Sequence, residues 1–292
     1  KTAYEIPKRD WSSDVCSSDL LWCRRCGNAS SRTKINAFVR VVFLGTGTSH
    51  GVPMIGCDCA VCQSTDPRDQ RCRTSIVVDT AGGASLLVDT GPDLRMQALR
   101  HGVRRVDAIL YTHAHADHIA GLDDVRRFNI VMGGPLPVFG DGPTLAELRQ
   151  RFSYIWDPGT PKGGGLPALQ LWTIGGPFCV ADQEVVPVPL MHGTRPILGF
   201  RFGRFAYLTD CSGIPETSLA LLGDLDVLVL DALRPKPHVT HFSLAQAEEM
   251  AARIGAAQTY FVHMTHELGH AATCAALPPG MALAYDGLRL EL

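Results

Sequence analysis

The sequence predicts an α/β fold in which two mixed β-sheets pack face to face and helices cover the outside, an αββα sandwich. Strand patterns are followed by alternating strand and helix patterns, and this succession occurs once in each half of the chain. Composition agrees, since 292 residues with 46% hydrophobic and 19% charged side chains can bury an extended core.

Taken in order, residues 1–36 are polar and Ser-rich, with neither helical nor strand periodicity. Their central "RDWSSDVCSSDL" resembles translated sequencing-adapter read-through, so the segment is read as a non-native or disordered tail and its Cys23–Cys26 pair as incidental. One domain is expected over 37–292. "FVRVVFLGTG", "TSIVVDT", "SLLVDTG" and "DAILYTH" are β-branched, apolar runs between turn residues and read as four strands. "PDLRMQALRHG", "GLDDVRRFN", "TLAELRQRFSYIW" and "SLAQAEEMAARIG" carry helical spacing. Further strands are expected near "EVVPVPL", "LGFRFGRFAYLTD", "DVLVLDA", "QTYFVHM" and "LAYDGLRLEL". "DPGTPKGGGLP", Asp157 to Pro167, reads as a surface loop, either a plain connector or the flank of a substrate entrance.

A net charge of −2 with scattered Lys and Arg offers no basic stripe, which argues against a nucleic acid partner. No apolar run reaches the roughly 18 to 20 residues of a membrane helix, and no secretory signal is evident, so a cytoplasmic protein without membrane partners is expected. The ten cysteines then read as thiols under reducing conditions, available to hold a metal.

The densest chemical signal is "YTHAHADHIAGLDD". His113 and His115 leave an extended chain on the same side, and the turn that follows brings Asp117 and His118 round a neighbouring point, so two adjacent ion positions are plausible. More donors stand where apolar strands end: His192 closes "VVPVPLMH", Asp210 closes "FAYLTD" and His263 lies in "TYFVHMTH". Each is weak alone, but the ends of several strands converge on one edge where a site can form. Asp89 and Asp93 in "LLVDTGPD" are candidates for hydrogen bonds to the outer nitrogens of ligating imidazoles, with a helix cap as the alternative for Asp93. A second metal signal is "GVPMIGCDCAVC", where Cys57, Cys59 and Cys62 read as three ligands of a structural zinc whose fourth is Cys72 or a distant histidine.

In this order, "THAHADH", "MHG", "LTD" and "VHMTH" resemble the metallo-β-lactamase superfamily of dinuclear metallohydrolases, over about Phe38 to Leu292. The resemblance implies His113, His115 and His192 on one ion, Asp117, His118 and His263 on the other, Asp210 between them, and a bridging hydroxide as nucleophile. With the cysteine loop included, the chain is similar to the phosphoribosyl 1,2-cyclic phosphate phosphodiesterases of the carbon–phosphorus lyase pathway. That likeness implies His266 as the fourth structural zinc ligand and His241 near the scissile phosphate, with His238 as the weaker alternative. The pattern departs at Val262, where the family carries threonine.

The expected enzyme is therefore a metal-dependent phosphodiesterase with two divalent ions, manganese or zinc, one structural zinc and a small phosphodiester substrate. Asp117, Asp210 and His241 are its expected catalytic residues, and a homodimer follows from the resemblance alone. The alternatives are an RNA-processing nuclease of the same superfamily and a non-catalytic metal-binding module.

Overall fold

The computed structural model describes residues 40–161 and 163–292. The tail at residues 1–36, with Cys23 and Cys26, lies outside the described residues, as do the first residues of the first expected strand.

The first half of the chain forms β1 (Arg40–Gly45), β2 (Ser75–Asp79), β3 (Ser85–Val88), β4 (Ala108–Leu110), β5 (Leu136–Gly140) and β6 (Leu169–Thr173). Its helices are α1 (Leu94–His101), α2 (Ala116–Ile119), α3 (Arg126–Met132) and α4 (Gly142–Arg151). The second half forms β7 (Phe178–Val180), β8 (Gln183–His192), β9 (Arg195–Phe202), β10 (Phe205–Leu208), β11 (Val227–Asp231), β12 (Gln258–Val262) and β13 (Met281–Leu283). Helices α5 (Glu216–Leu219), α6 (Leu244–Ile254) and α7 (His270–Ala276) connect its later strands, and β14 (Arg289–Glu291) returns to pair with β1.

Two seven-stranded sheets result, in the orders β14-β1-β2-β3-β4-β5-β6 and β13-β12-β11-β10-β9-β8-β7. In the first, β1 to β3 are antiparallel and β3 to β6 parallel. In the second, β7 to β10 are antiparallel and β10 to β13 parallel. Parallel neighbours need a crossover, and the helices occupy those connections.

Strand residues alternate between two faces, and here both are buried. Val41 and Phe43 enter the core between the sheets with Phe200, Tyr207 and Val229, while Val42 and Leu44 pack outward beneath Leu94, Phe128 and Leu148. In the second sheet Leu228 and Leu230 pack outward with Ala247 and Ala251 of α6. Burial on both faces is why these strands read as unbroken apolar runs rather than alternating ones.

The sequence-based boundaries need several corrections. "LGFRFGRFAYLTD" is two strands, because Gly203 at φ +58° opens a two-residue hairpin between Phe202 and Phe205. "LAYDGLRLEL" is divided between β13 and β14, which belong to different sheets. "GLDDVRRFN" is a 3-10 turn, Leu122–Val125, that runs on into α3. Strands β5, β6 and β7 and helix α7 had no sequence signal assigned to them. In β5, Pro137 inside the strand is a residue that ordinarily argues against one.

Candidate metal centre

The candidate donors gather at the carboxyl ends of the strands, where open α/β sheets commonly bind ligands. His113 and His115 follow β4, and Asp117 and His118 lie on α2. His192 ends β8, Asp210 follows β10 and His263 follows β12. Local backbone conformation assists: Asp89, Asp210 and His263 have φ of 63°, 58° and 62°, the left-handed region that turns the chain sharply at a strand end. Such conformations cost about 1–3 kcal/mol each and persist only where the surroundings hold them. Gly91 lets α2 come close, since a Cβ there would lie 2.4 Å from the Asp117 carbonyl oxygen.

Two groups of donors form. The ligand atoms of His113, His115 and His192 lie within 4.8 Å of one another, as do those of Asp117, His118, Asp210 and His263. Asp210 stands between the groups, Oδ1 at 3.2 Å from His118 Nε2 and Oδ2 at 3.1 Å from His263 Nε2 and 3.9 Å from His113 Nε2. Asp117 Oδ2 lies 3.4 Å from His118 Nε2 and 3.6 Å from His263 Nε2. Two donors each about 2.1 Å from one tetrahedral ion are about 3.4 Å apart, so most of these spacings suit shared coordination.

The outer ring nitrogens of three of these imidazoles are already engaged. His118 Nδ1 donates to Asp89 at 2.8 Å, His192 Nδ1 to the Thr240 carbonyl at 2.9 Å, and His113 Nδ1 faces Thr112 Oγ1 at 3.0 Å. Asp89 in turn accepts from the Thr112 amide and hydroxyl at 2.9 and 2.8 Å. This fixes the inner Nε2 atoms as lone-pair donors. Nε2 of His113, His118 and His263 are buried without a hydrogen-bond partner, an arrangement a bound cation would satisfy.

The electrostatics agree. Burial, helped by the charge of His118, holds the His113 pKa well below its ordinary value, in the neutral form that ligates. Burial also opposes charge on His118, yet Asp210, Asp89 and Asp117 together drive its pKa well above the ordinary value. Three carboxylates thus converge where one positive charge is called for. Burial pushes the Asp117 and Asp210 pKa values up, but neighbouring imidazoles outweigh it and hold both carboxyls well below the usual range.

The cysteine loop forms a separate group. His266 Nδ1 lies 3.1, 3.2 and 3.6 Å from Sγ of Cys57, Cys59 and Cys62, against about 3.5 Å for sulfur and nitrogen on one tetrahedral zinc. The Cys62 amide, donating to Cys59 Sγ, is the largest influence lowering that thiol's pKa to about 6. A set of three sulfurs and one nitrogen is closed and suits a structural ion. Cys72, the other candidate for the fourth place, stays apart: its sulfur is 3.8 Å from Arg100 Nη1, and burial pushes its pKa up to about 12.

Other sequence-predicted residues fall as follows. His241 is buried, with its ring centroid 4.7 Å from those of His192 and His263 and Nδ1 3.2 Å from Asp231 Oδ1. Ser243 caps the helix that follows through a reciprocal bond with Gln246. His238 is exposed, and its Nδ1 is engaged with Thr240. Asp93 touches no candidate ligand and makes no side-chain cap for α1. Its carboxylate accepts instead from the Arg73 amide at 2.8 Å and guanidinium at 3.0 Å, a partner that supplies full positive charge. The Gly-rich loop, described on either side of residue 162, lines a cavity of about 390 Å³ with α3, and no candidate ligand borders it.

Sequence reading missed Asp231. It ends β11 fully buried, accepts from the Phe242 amide at 3.0 Å, and lies 3.6 Å from His263 Nδ1. A carboxylate closing an apolar strand was a signal available for it, as it was for Asp210.

Residues 85–264 match the family model described as the β-lactamase superfamily domain. The chain belongs to the β-lactamase superfamily. Among solved structures it is similar to a new diphosphatase from the PhnP family, at 45% identity over 87% of this chain and 97% of that one, with a TM-score of 0.82. Zinc-bound PqqB from Methylobacterium extorquens shares the fold at TM-score 0.73 and 20% identity, over 87% of this chain and all of that one. The octanoyltransferase of Porphyromonas gingivalis is 38% identical over 254 residues, 86% of this chain, which spans about half (51%) of that relative's length. As a superfamily member, the chain implies divalent metals, and the donor groups fit them. Among the described residues no helix is long and apolar enough to cross a membrane.

Proposed function

We propose that this superfamily member is a metal-dependent phosphodiesterase that hydrolyses a small, compact phosphodiester such as a ribose cyclic phosphate. Two divalent ions, manganese or zinc, would be held by His113, His115 and His192 and by Asp117, His118 and His263, with Asp210 shared. The observation that carries this reading is the position of Asp210 between two groups of imidazoles, three of which, His113, His118 and His263, have Nε2 buried without a partner. Ions there would supply an activated water and a clamp on the attacking and leaving oxygens. Cys57, Cys59, Cys62 and His266 would hold a structural zinc. Asp231 orients His241 through Nδ1, leaving Nε2 as the nitrogen that can protonate a leaving ribose oxygen.

A second reading, hydrolysis of a diphosphate, is favoured by the 45% identity to a diphosphatase. Acyl transfer, named for the Porphyromonas gingivalis relative, is not carried over, because this chain spans only 51% of that protein. The proposal further places the protein in the cytoplasm as a homodimer, with neither nucleic acid nor membrane as partner.

The test is a substrate panel for the manganese- or zinc-loaded protein: bis(p-nitrophenyl) phosphate, ribose cyclic phosphates, dinucleoside diphosphates, a short RNA and an octanoyl thioester. Cleavage of the cyclic esters is expected. Cleavage of the diphosphates alone favours the second reading, and inertness towards every phosphate ester and anhydride removes both.

A further inference from the structure

The segment carrying His263 and His266 serves the Asp117–His118–Asp210 group and the cysteine group, and a residue to which no role was assigned above binds it. We propose that Arg71 is a positioning residue that holds the end of β12 so that His263 reaches the Asp117–His118–Asp210 group. This rests on the metal reading above.

Arg71 is 2% exposed, among the largest fully buried side chains of the protein. Its Nη1 donates to the Thr265 carbonyl at 2.9 Å and its Nη2 makes a short bond to the Leu268 carbonyl, so the fork grips the chain on both sides of His266. Asp69 lies 3.2 Å from Nη2 and also accepts from the His270 amide at 2.8 Å. The Arg71 backbone exchanges hydrogen bonds with Val52, at the start of the cysteine loop, at 2.7 and 2.9 Å. A buried guanidinium that spends its donors on backbone carbonyls fixes a path of the chain, which a lysine, lacking the planar fork, cannot reproduce.

His263 needs such support. Its φ of 62° is one that a side-chain-bearing residue adopts only when the flanking chain is held. Beyond it, the Met264 amide donates to the Thr46 carbonyl at 3.0 Å and the Thr265 amide to the Leu233 carbonyl at 2.8 Å. Arg71 binds the carbonyl of the same Thr265 and so holds the next peptide along. The His113–His115–His192 group has no bond to Arg71, so loosening this brace affects the His263 position, and the cysteine group through His266, and spares the His113 position.

The test is Arg71→Lys, with stepwise metal affinities measured by competition with a chelating indicator. The affected ion is identified by comparison with Asp117→Ala, and amide exchange is followed at residues 262–266. Expected are an affinity loss of about tenfold or more at the His263 position, faster exchange at 262–266 and an unchanged affinity at the His113 position. Saturating metal should restore kcat. Equal loss at both positions, or no change at either, overturns the proposal. Should Arg71→Lys not fold, Asp69→Asn, which removes the counter-charge but keeps an acceptor for His270, is held to the same outcomes. Metal counts on the unaltered protein come first: if neither His/Asp group binds an ion, the functional reading fails and this proposal with it.

Discussion

Replacing Asp89 by Asn isolates one carboxylate that supports the metal centre from outside. Asn tolerates the left-handed φ of 63° at this position, so backbone strain is not introduced. Its single carbonyl oxygen can keep the Thr112 amide bond, but the NH2 group then faces Thr112 Oγ1 or His118 Nδ1, where Asp89 now accepts at 2.8 Å from each. To avoid two opposed donors, His118 must move its proton to Nε2, the atom that faces Asp117 and Asp210. Loss of an outer partner of this kind costs about 10- to 100-fold in metal affinity, equivalent to about 1.4–2.7 kcal/mol. That agrees with the ~1.5–3 kcal/mol assigned to a hydrogen bond to a charged group. The assay is competition titration with a chelating indicator, alongside a melt to confirm that the protein is folded. Weakening is expected at the His118 position and not at the His113 position. A change below about threefold, or equal weakening at both, would refute the reasoning that the carboxylate fixes the His118 tautomer.

Four further outcomes are expected. Asp117→Ala lowers kcat/KM by more than about 100-fold, beyond the cost of losing an outer partner, with the melt of the metal-free protein little changed; Cys59→Ala instead loses one zinc per chain and opens the loop near residues 48–66 to protease. Burial pushes the Asp286 carboxyl up to about 6 from 3.8, although it accepts from Thr46 Oγ1 and the Cys72 amide. The folded state therefore holds that proton more tightly, so stability falls as pH rises from about 4 to about 6, by up to about 3 kcal/mol. Urea denaturation of the protein and of Asp286→Asn should show their difference growing in that direction, and the opposite slope would contradict it. Phe43→Ala, in the core between the sheets, should cost about 3–5 kcal/mol and lower Tm by roughly 6–20 °C for a domain of this size, read by calorimetry.

The parts of this molecule legible in its sequence are those where one residue type repeats for one local reason. Val41 to Leu44 are buried on both faces, so their apolar run announces a strand without its partners being known. Residues 113–118 are crowded with donors, and His192, Asp210 and His263 are conspicuous because each breaks an apolar run at its end. What was not legible depends on contacts distant in sequence. Asp93 looked like a neighbour of the site, but Arg73 across the fold claims it. Asp231 read as part of a strand, because nothing local shows that His241 and His263 come to it. Arg71, in a polar loop, has the pattern of a solvent-exposed cation, and only the folded path of residues 265–268 shows it buried.

The donors are divided between the two sheets: His113, His115, Asp117 and His118 follow a strand of one, and His192, Asp210 and His263 follow strands of the other. Each donor group therefore draws on both halves of the chain. An ion in either group would act as a rivet, adding to the apolar packing and polar contacts between the two layers a cohesion that grows with the logarithm of its free concentration relative to its dissociation constant. Metal supply would then govern how long the halves stay together as well as how fast the enzyme turns over.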